Sequence, residues 1–411
     1  MCTTIVVGRK RSATGHVLVG HNEDLGRNSA HRVAVAEARE PAPGERFPLY
    51  STGDLDQPPR TARYLAARIF DKRHYPGDHT SGINEHGVAV ANNMATMVGI
   101  PAERQFDVVP GGVIWTEFMQ LVLERAKTAR EGVALVGELS ERRGLSCDTG
   151  TMIAVADPAE AWWVEMARDG KWAAQQVEDD EVSVRANCYR IPDFAARHGD
   201  PATQADRYNL DRHEALEDRA GAMATLGPAD LMSLLREVYE GTPRYRTRPD
   251  GSPFRTEVRT VAIMRTEAST VLDSNRRLPG GVAHRMWCCL STPLTGAFVP
   301  FHAGIQRVES HYATAGGQFT GHSAYWLFTE LAKLVDYRYT ACANLVRGTW
   351  AAFEAETFRD LAAVEAHCER LASAPECAAL LTDFDCRRAS AAIRTLEALL
   401  REVKTRAFYE D

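Results

Sequence analysis

The sequence predicts an α+β fold, on two features of its patterning. Apolar runs of strand length are joined by short polar turns over the first 190 residues or so. Between and after them lie longer stretches with apolar residues at helical spacing, and from Ala324 onward that spacing dominates. Hairpins interleaved with amphipathic helices indicate antiparallel sheets covered by helices.

The first hairpin opens the chain. Met1-Cys2-Thr3-Thr4-Ile5-Val6-Val7-Gly8 reads as a strand, Ser12-Ala13-Thr14-Gly15 as a turn, and residues 16–24 as the returning partner. With the turn centred near residue 13, paired positions sum to about 26 or 27, which opposes Cys2 to Asp24. Residues 80–94 read strand–turn–strand, with Asn84-Glu85-His86-Gly87 as the turn. Residues 116–136 carry Phe118, Leu121, Val122 and Ala126 at helical spacing and predict one helix. Residues 151–177 form a three-stranded meander whose tightest turn is Asp169-Gly170. Trp162, Trp163 and Trp172 belong to its core. Residues 195–221 are charged loop and helix, 242–250 a loop bearing Pro and Arg, and 256–261 a short strand. Helices are expected at 325–336, 350–371 and 387–408.

Composition narrows the function classes. The 411 residues can bury a substantial core. A net charge of −7 argues against nucleic acid and anionic membranes as partners. No apolar run has the length of a transmembrane helix, and no secretory leader pattern precedes Cys2, so a cytoplasmic protein is expected. The nine cysteines are scattered without a Cys-x-x-Cys pair, so neither a zinc motif, a redox motif nor structural disulfides are expected. Cys288-Cys289 read as buried thiols. Phosphate-loop, dinucleotide and His-Glu-x-x-His motifs are absent, and Gly321-His322-Ser323-Ala324-Tyr325 lacks the final Gly of a nucleophile elbow. His74 and His79 read as loop residues. No cofactor or metal is expected.

The chemistry centres on Cys2. Its small side chain permits removal of Met1, which would leave a thiol and a free α-amine on one carbon. That amine titrates near neutrality, about 7.7–8.0, and can take the thiol proton. The thiolate is the form that attacks carbonyl carbon. Asp24, across the hairpin, would hold the amine. Arg259 in its short strand would either bring a cation near the thiolate or lie solvated at the surface. Arg244, Arg246, Arg248 and Arg255 are candidates for a substrate carboxylate, though a basic loop is more often merely solvated.

Cys2 to Gly8 followed by Gly20-His21-Asn22-Glu23-Asp24 resembles the start of the C69 cysteine dipeptidases and the related secernins, within the amino-terminal-nucleophile (Ntn) hydrolase superfamily. The resemblance continues in order through Gly82 to Asn92, Glu124 to Val133, Trp163-Val164-Glu165 and Asn187 to Ile191, with a weaker echo at Trp287 to Pro300. It implies a four-layer αββα sandwich of two antiparallel sheets, placed in a catalytic domain over residues 1–310; the helical spacing beyond it reads as helical layers or a carboxy-terminal extension, residues 311–411, packed on the same domain. The resemblance implies an oxyanion donor at Asn92, with Asn93 next to it leaving the assignment open by one, and a substrate or amine contact at Asn187. The family usually carries Arg, sometimes Lys, where this chain has His21, so the field around the thiol is expected to be weaker or pH-gated. The expected activity is cysteine amidohydrolysis of dipeptides or related small amides through a thioester. The alternatives are an acylase or acyltransferase of specialised metabolism and a non-catalytic secernin-like scaffold. The expected partner is a small peptide or amide, and self-association is left open.

Overall fold

The computed structural model describes residues 2–25, 29–70, 78–245, 247, 251–275, 277–371 and 373–409, without the side chains of Ala102, Arg255, Pro279 and Tyr409. Met1, His74, Arg246, Arg248 and the side chain of Arg255 therefore lie outside the described residues. The chain runs through β1 (Thr3–Val7), β2 (Leu18–Glu23), β3 (His31–Ala36), β4 (Arg46–Pro48), β5 (Asp54–Asp56), β6 (Tyr64–Ile69), β7 (His79–Asn84) and β8 (Ala89–Ala95). Helices α1 (Trp115–Arg125) and α2 (Ala129–Arg143) precede β9 (Gly150–Ala156), β10 (Ala161–Met166), β11 (Trp172–Val177) and β12 (Val182–Arg185). Next come α3 (Pro192–His198), α4 (Pro201–Ala205), α5 (Arg207–Gly221) and α6 (Pro228–Leu235). The chain closes with β13 (Ala268–Asp273), β14 (Arg285–Leu290), β15 (Val299–His302), α7 (Ser310–Ala313), α8 (Ala324–Tyr337), α9 (Tyr339–Leu371) and α10 (Ala374–Tyr409).

Two antiparallel sheets face each other, in strand orders β12-β1-β2-β13-β14-β15 and β11-β10-β9-β8-β7-β6-β3. Alternation along β1 explains why. Val6 joins an inner core with Val19, Ile83, Ala91, Ala154 and Leu272 from both sheets. Ile5 and Val7 point the other way, into a core with Leu216, Leu231 and Leu235 of α5 and α6. Val90, Ile153 and Val155 likewise leave the second sheet outward to meet Phe118, Leu121 and Val136 of α1 and α2. The result is the four-layer αββα sandwich that the family resemblance implied. The inner core continues through Leu331, Val346, Ile393 and Leu396 of α8, α9 and α10, and α10 packs on β15. No helix among the described residues is long and apolar enough to cross a membrane.

Four sequence expectations need correction. The first hairpin pairs Thr3 with Asn22 and Val7 with Leu18, so paired numbers sum to 25 and Cys2 falls opposite Glu23, not Asp24. The helix expected at 116–136 is two helices. Ala126 is extended, the Thr128 side chain caps α2 by accepting from the Glu131 N–H, and Asp157 accepts from Ala129 N at 2.9 Å. Residues 256–261 form no strand; Thr256 makes only an isolated bridge to Thr247. His79 is a buried residue of β7, where burial holds its pKa well below the usual imidazole range. The two long helices start earlier than expected, and Asp169 and Gly170 adopt the positive φ of a two-residue turn as expected. Trp163 is fully buried, whereas Trp162 and Trp172 are half-buried.

Candidate active site

The same alternation builds the site. Cys2 and Thr4 share the inward face of the first strand with Val6, and His21 and Glu23 share that of β2 with Val19. Cys2 is fully buried, and its Sγ–H donates to Glu23 Oε1 at 3.1 Å. Burial, reinforced by the Glu23 charge, pushes the Cys2 thiol well above the ordinary thiol range, while the Asp24 backbone N–H favours the thiolate. At rest the sulfur is therefore a neutral thiol. Burial works against the Glu23 carboxylate, but its contacts to His21 and Cys2 outweigh that and hold its pKa below the usual value.

His21 sits between Glu23 and Thr4, with Nε2 3.1 Å from Glu23 Oε2 and Nδ1 2.8 Å from Thr4 Oγ1. Asn93 fixes the direction of the second bond. Its amide Nδ2 donates to the Arg185 and Ala186 carbonyls, leaving Oδ1 to accept the single Thr4 hydroxyl proton at 2.5 Å. Thr4 Oγ1 must then accept from His21 Nδ1–H. This orients the ring and turns Nε2 toward Glu23.

Asp24 lies on a neighbouring wall. Its carboxylate pairs with the Arg259 guanidinium and accepts from Thr266 Oγ1 at 2.6 Å. Arg259 is buried, not the solvated surface side chain that was one of its expected readings; it reaches in from a loop, lies over the Tyr208 ring and donates to the Tyr208 hydroxyl at 3.2 Å. Glu267 completes this acidic ground. It accepts from Ser29 N at 2.9 Å, and burial with the charges of Glu23 and Asp24 raises its pKa to about 8.

Arg212 of α5 is the anchor beneath Cys2. Fully buried, it spends all five N–H donors: on the Cys2 carbonyl at 2.8 Å, Thr3 Oγ1, Asn187 Oδ1 at 3.0 Å, Asn209 Oδ1 and the Tyr208 carbonyl. Asn187 is thus one guanidinium away from the nucleophile, with its Nδ2 donating to the Met94 carbonyl at 2.8 Å. Asn92 does not join the group. It pairs with Ile153 on the outward face of β8, and its Oδ1 has no hydrogen-bond partner among the described residues. The inward neighbour Asn93 is the one beside Thr4. Arg244 forms ion pairs with Asp211, Glu214 and Asp218 on α5, which removes it as a ready carboxylate receptor.

Cys2, His21, Asp24, Asn187 and Arg259 are therefore gathered and Asn92 is not. Asn93 stood only as the alternative to Asn92, and Glu23, Thr4 and Arg212 were missed. Glu23, Thr4 and Asn93 follow from strand parity once the register is known; Arg212 carries no sequence signal, being one Arg in a charged helical run. All nine cysteines are free thiols.

The sequence pattern of peptidase family C69 matches residues 1–217 and 221–352. A protein named "Probable dipeptidase B" from Lactococcus lactis subsp. lactis is 24% identical over 97% of this chain and 94% of its own length. One of the same name from Streptococcus pyogenes serotype M1 is 22% identical over 81% of this chain and 78% of its own length. Among solved structures, the C2A mutant of the conjugated bile acid hydrolase from Clostridium perfringens aligns with 74% of this chain and 92% of its own, at 13% identity and a TM-score of 0.44.

Proposed function

We propose that this chain, which belongs to peptidase family C69, hydrolyses dipeptides or closely related small amides with the Cys2 sulfur as nucleophile. The observation that carries the reading is Cys2 itself: an inward-facing thiol at the head of a central strand, donating to a carboxylate across the hairpin. The dipeptidase names of the relatives support the substrate class.

In this reading Met1 is removed, freeing an α-amine beside the thiol. That amine, with Glu23 at hand, takes the thiol proton as sulfur attacks the scissile carbonyl. The developing oxyanion takes a hydrogen bond from Asn187, a role supported by the shared Arg212 that links it to the Cys2 carbonyl. Collapse expels the leaving amine, which receives the proton, and leaves a thioester on Cys2. Water activated by the same amine then releases the acid and the free thiol. Asp24 and Arg259 hold the wall of the site, and His21 keeps Glu23 ionised.

The test compares wild type with Cys2→Ala on a mixed panel of dipeptides and N-acyl amino acids by mass spectrometry, with intact masses reporting the state of Met1. Cleavage is expected from wild type lacking Met1 and not from Cys2→Ala. Equal turnover by the two proteins sinks the mechanism. New N-acyl products in place of hydrolysis would replace it with acyl transfer.

A further inference from the structure

We propose that Cys2, His21 and Glu23 also form a binding site for a zinc ion, and that an ion held there silences the thiol. No metal motif is visible in the sequence; the hairpin register creates the site. One ligand atom from each residue can be chosen so that all three lie within 4.8 Å of one another, and all three side chains are buried. The two contacts through the carboxylate are each 3.1 Å. Tetrahedral zinc with sulfur, nitrogen and oxygen ligands sets those atoms about 3.3–3.6 Å apart, so rotation of the carboxylate and thiol suffices. A mixed thiolate, imidazole and carboxylate set suits zinc and excludes calcium and magnesium, which take oxygen ligands.

The hydrogen bonds prepare His21 for this role. Thr4 Oγ1 has spent its proton on Asn93 and accepts from His21 Nδ1–H. The Nε2 lone pair then points at Glu23 Oε2, a contact that two acceptors cannot sustain without something positive between them. In the metal-free site the thiol proton lies between Sγ and Oε1. A divalent ion displaces it: the Sγ–metal bond forms as the thiol proton leaves to solvent, Nε2 binds through its lone pair, and the negative Glu23 carboxylate and the thiolate offset the charge of the ion. Thr4 and Asn93 supply the outer hydrogen bonds that hold a metal-bound imidazole in place. The fourth position takes water or, once Met1 is gone, the Cys2 α-amine, which chelates together with its own sulfur. A sulfur bonded to zinc shares its electron pair with the ion and is a much weaker nucleophile toward a carbonyl. The silencing rests on the hydrolase reading above; the binding does not.

The experiment titrates cobalt(II) into the metal-free full-length protein and follows absorbance, without substrate. One cobalt per chain is expected, with a near-ultraviolet thiolate-to-cobalt band that one equivalent of zinc abolishes. Calorimetry in two buffers should find at least one proton, that of the Cys2 thiol, released per zinc. Cys2→Ser should lose the band, and His21→Gln should weaken binding by about tenfold or more, each with native circular dichroism. If Cys2→Ser does not fold, Glu23→Gln serves as the second ligand variant, with the same weakening expected. Absence of the band in wild type, or its persistence in a folded Cys2→Ser protein or at unchanged affinity in both other variants, overturns the site. A protein that turns over no dipeptide yet shows the band leaves the site standing and counts against the hydrolase. Turnover untouched by stoichiometric bound zinc overturns the silencing.

Discussion

Two carboxylates adjacent in sequence do different work because a strand sends neighbours to opposite faces. Glu23 turns inward and holds the Cys2 thiol and the His21 ring; Asp24, just past the strand end, serves Arg259 and Thr266. The Asp24–Arg259 pair is buried at 2% and 5% side-chain exposure, so removing one charge strands the other away from water. Asp24→Asn should lower unfolding free energy by about 3 kcal/mol or more. The exposed Arg9–Asp179 pair is a control: Asp179→Asn should leave stability almost unchanged. Urea melts of both variants measure this, and equal small effects would contradict the assignment. Cys2, Asp24 and Asn187 were legible from residue chemistry and ordered motifs. The Cys2–Glu23 contact was not, since a shift of one residue in a hairpin exchanges the whole set of facing side chains and composition does not fix the turn centre to one residue. The choice between Asn92 and Asn93 was open for the same reason; parity on β8 decides which of the two faces Thr4.

The elements that carry the site are held by close approaches that pattern reading does not see. Gly8 follows the first strand and donates to the Glu181 carbonyl at 2.9 Å. A Cβ there would lie 2.2 Å from the Glu178 carbonyl oxygen and 2.6 Å from that of Asp179, both backbone atoms in the turn between β11 and β12. Gly8→Ala must push that turn off the strand bearing Cys2. The expected loss is about 1–3 kcal/mol in guanidinium unfolding, with activity falling alongside; an unchanged midpoint would show that the turn yields freely. Hairpins were read well, because Asp169-Gly170 and Asn84 to Gly87 carry their own turn chemistry. The break between α1 and α2 was missed because apolar spacing runs through it. It is made by the Thr128 cap and by Asp157, which comes from a distant loop. The strand expected around Arg259 failed for a related reason: the alternation of Thr256 to Val261 looks strand-like, but the segment makes only an isolated bridge to Thr247, and Arg259 is engaged by Asp24 and Tyr208.

The sandwich as a whole buries ionisable groups whose titration should be visible in its melting. Burial raises Glu267 to about 8 and Glu117 to about 7 from an ordinary 4.5, so both hold protons more tightly folded than unfolded. Their contribution is complete below about 4.5 and is lost as pH climbs through 7 and 8. His31, lowered to about 4 from 6.5 by burial, acts oppositely: its contribution is present above 6.5 and lost as pH falls toward 4. Melting temperature should therefore fall by several degrees between pH 6.5 and 8.5, and Glu267→Gln should flatten that limb. Scanning calorimetry at fixed ionic strength checks it; a melting point that rises over this range rules the assignment out. The α+β class was legible from period alone, whereas the stacking of two sheets rests on pairings between remote segments that only the family resemblance anticipated. Those pairings also set an order in time. Cys2 heads a strand flanked by β2 and β12, its carbonyl is gripped by Arg212, and the neighbouring wall needs Arg259. At about 5–20 residues per second, a ribosome takes on the order of 10–50 s to deliver the chain as far as Arg259. Throughout that interval the amino terminus has no finished pocket to enter and stays open to a processing peptidase, as the proposed removal of Met1 requires.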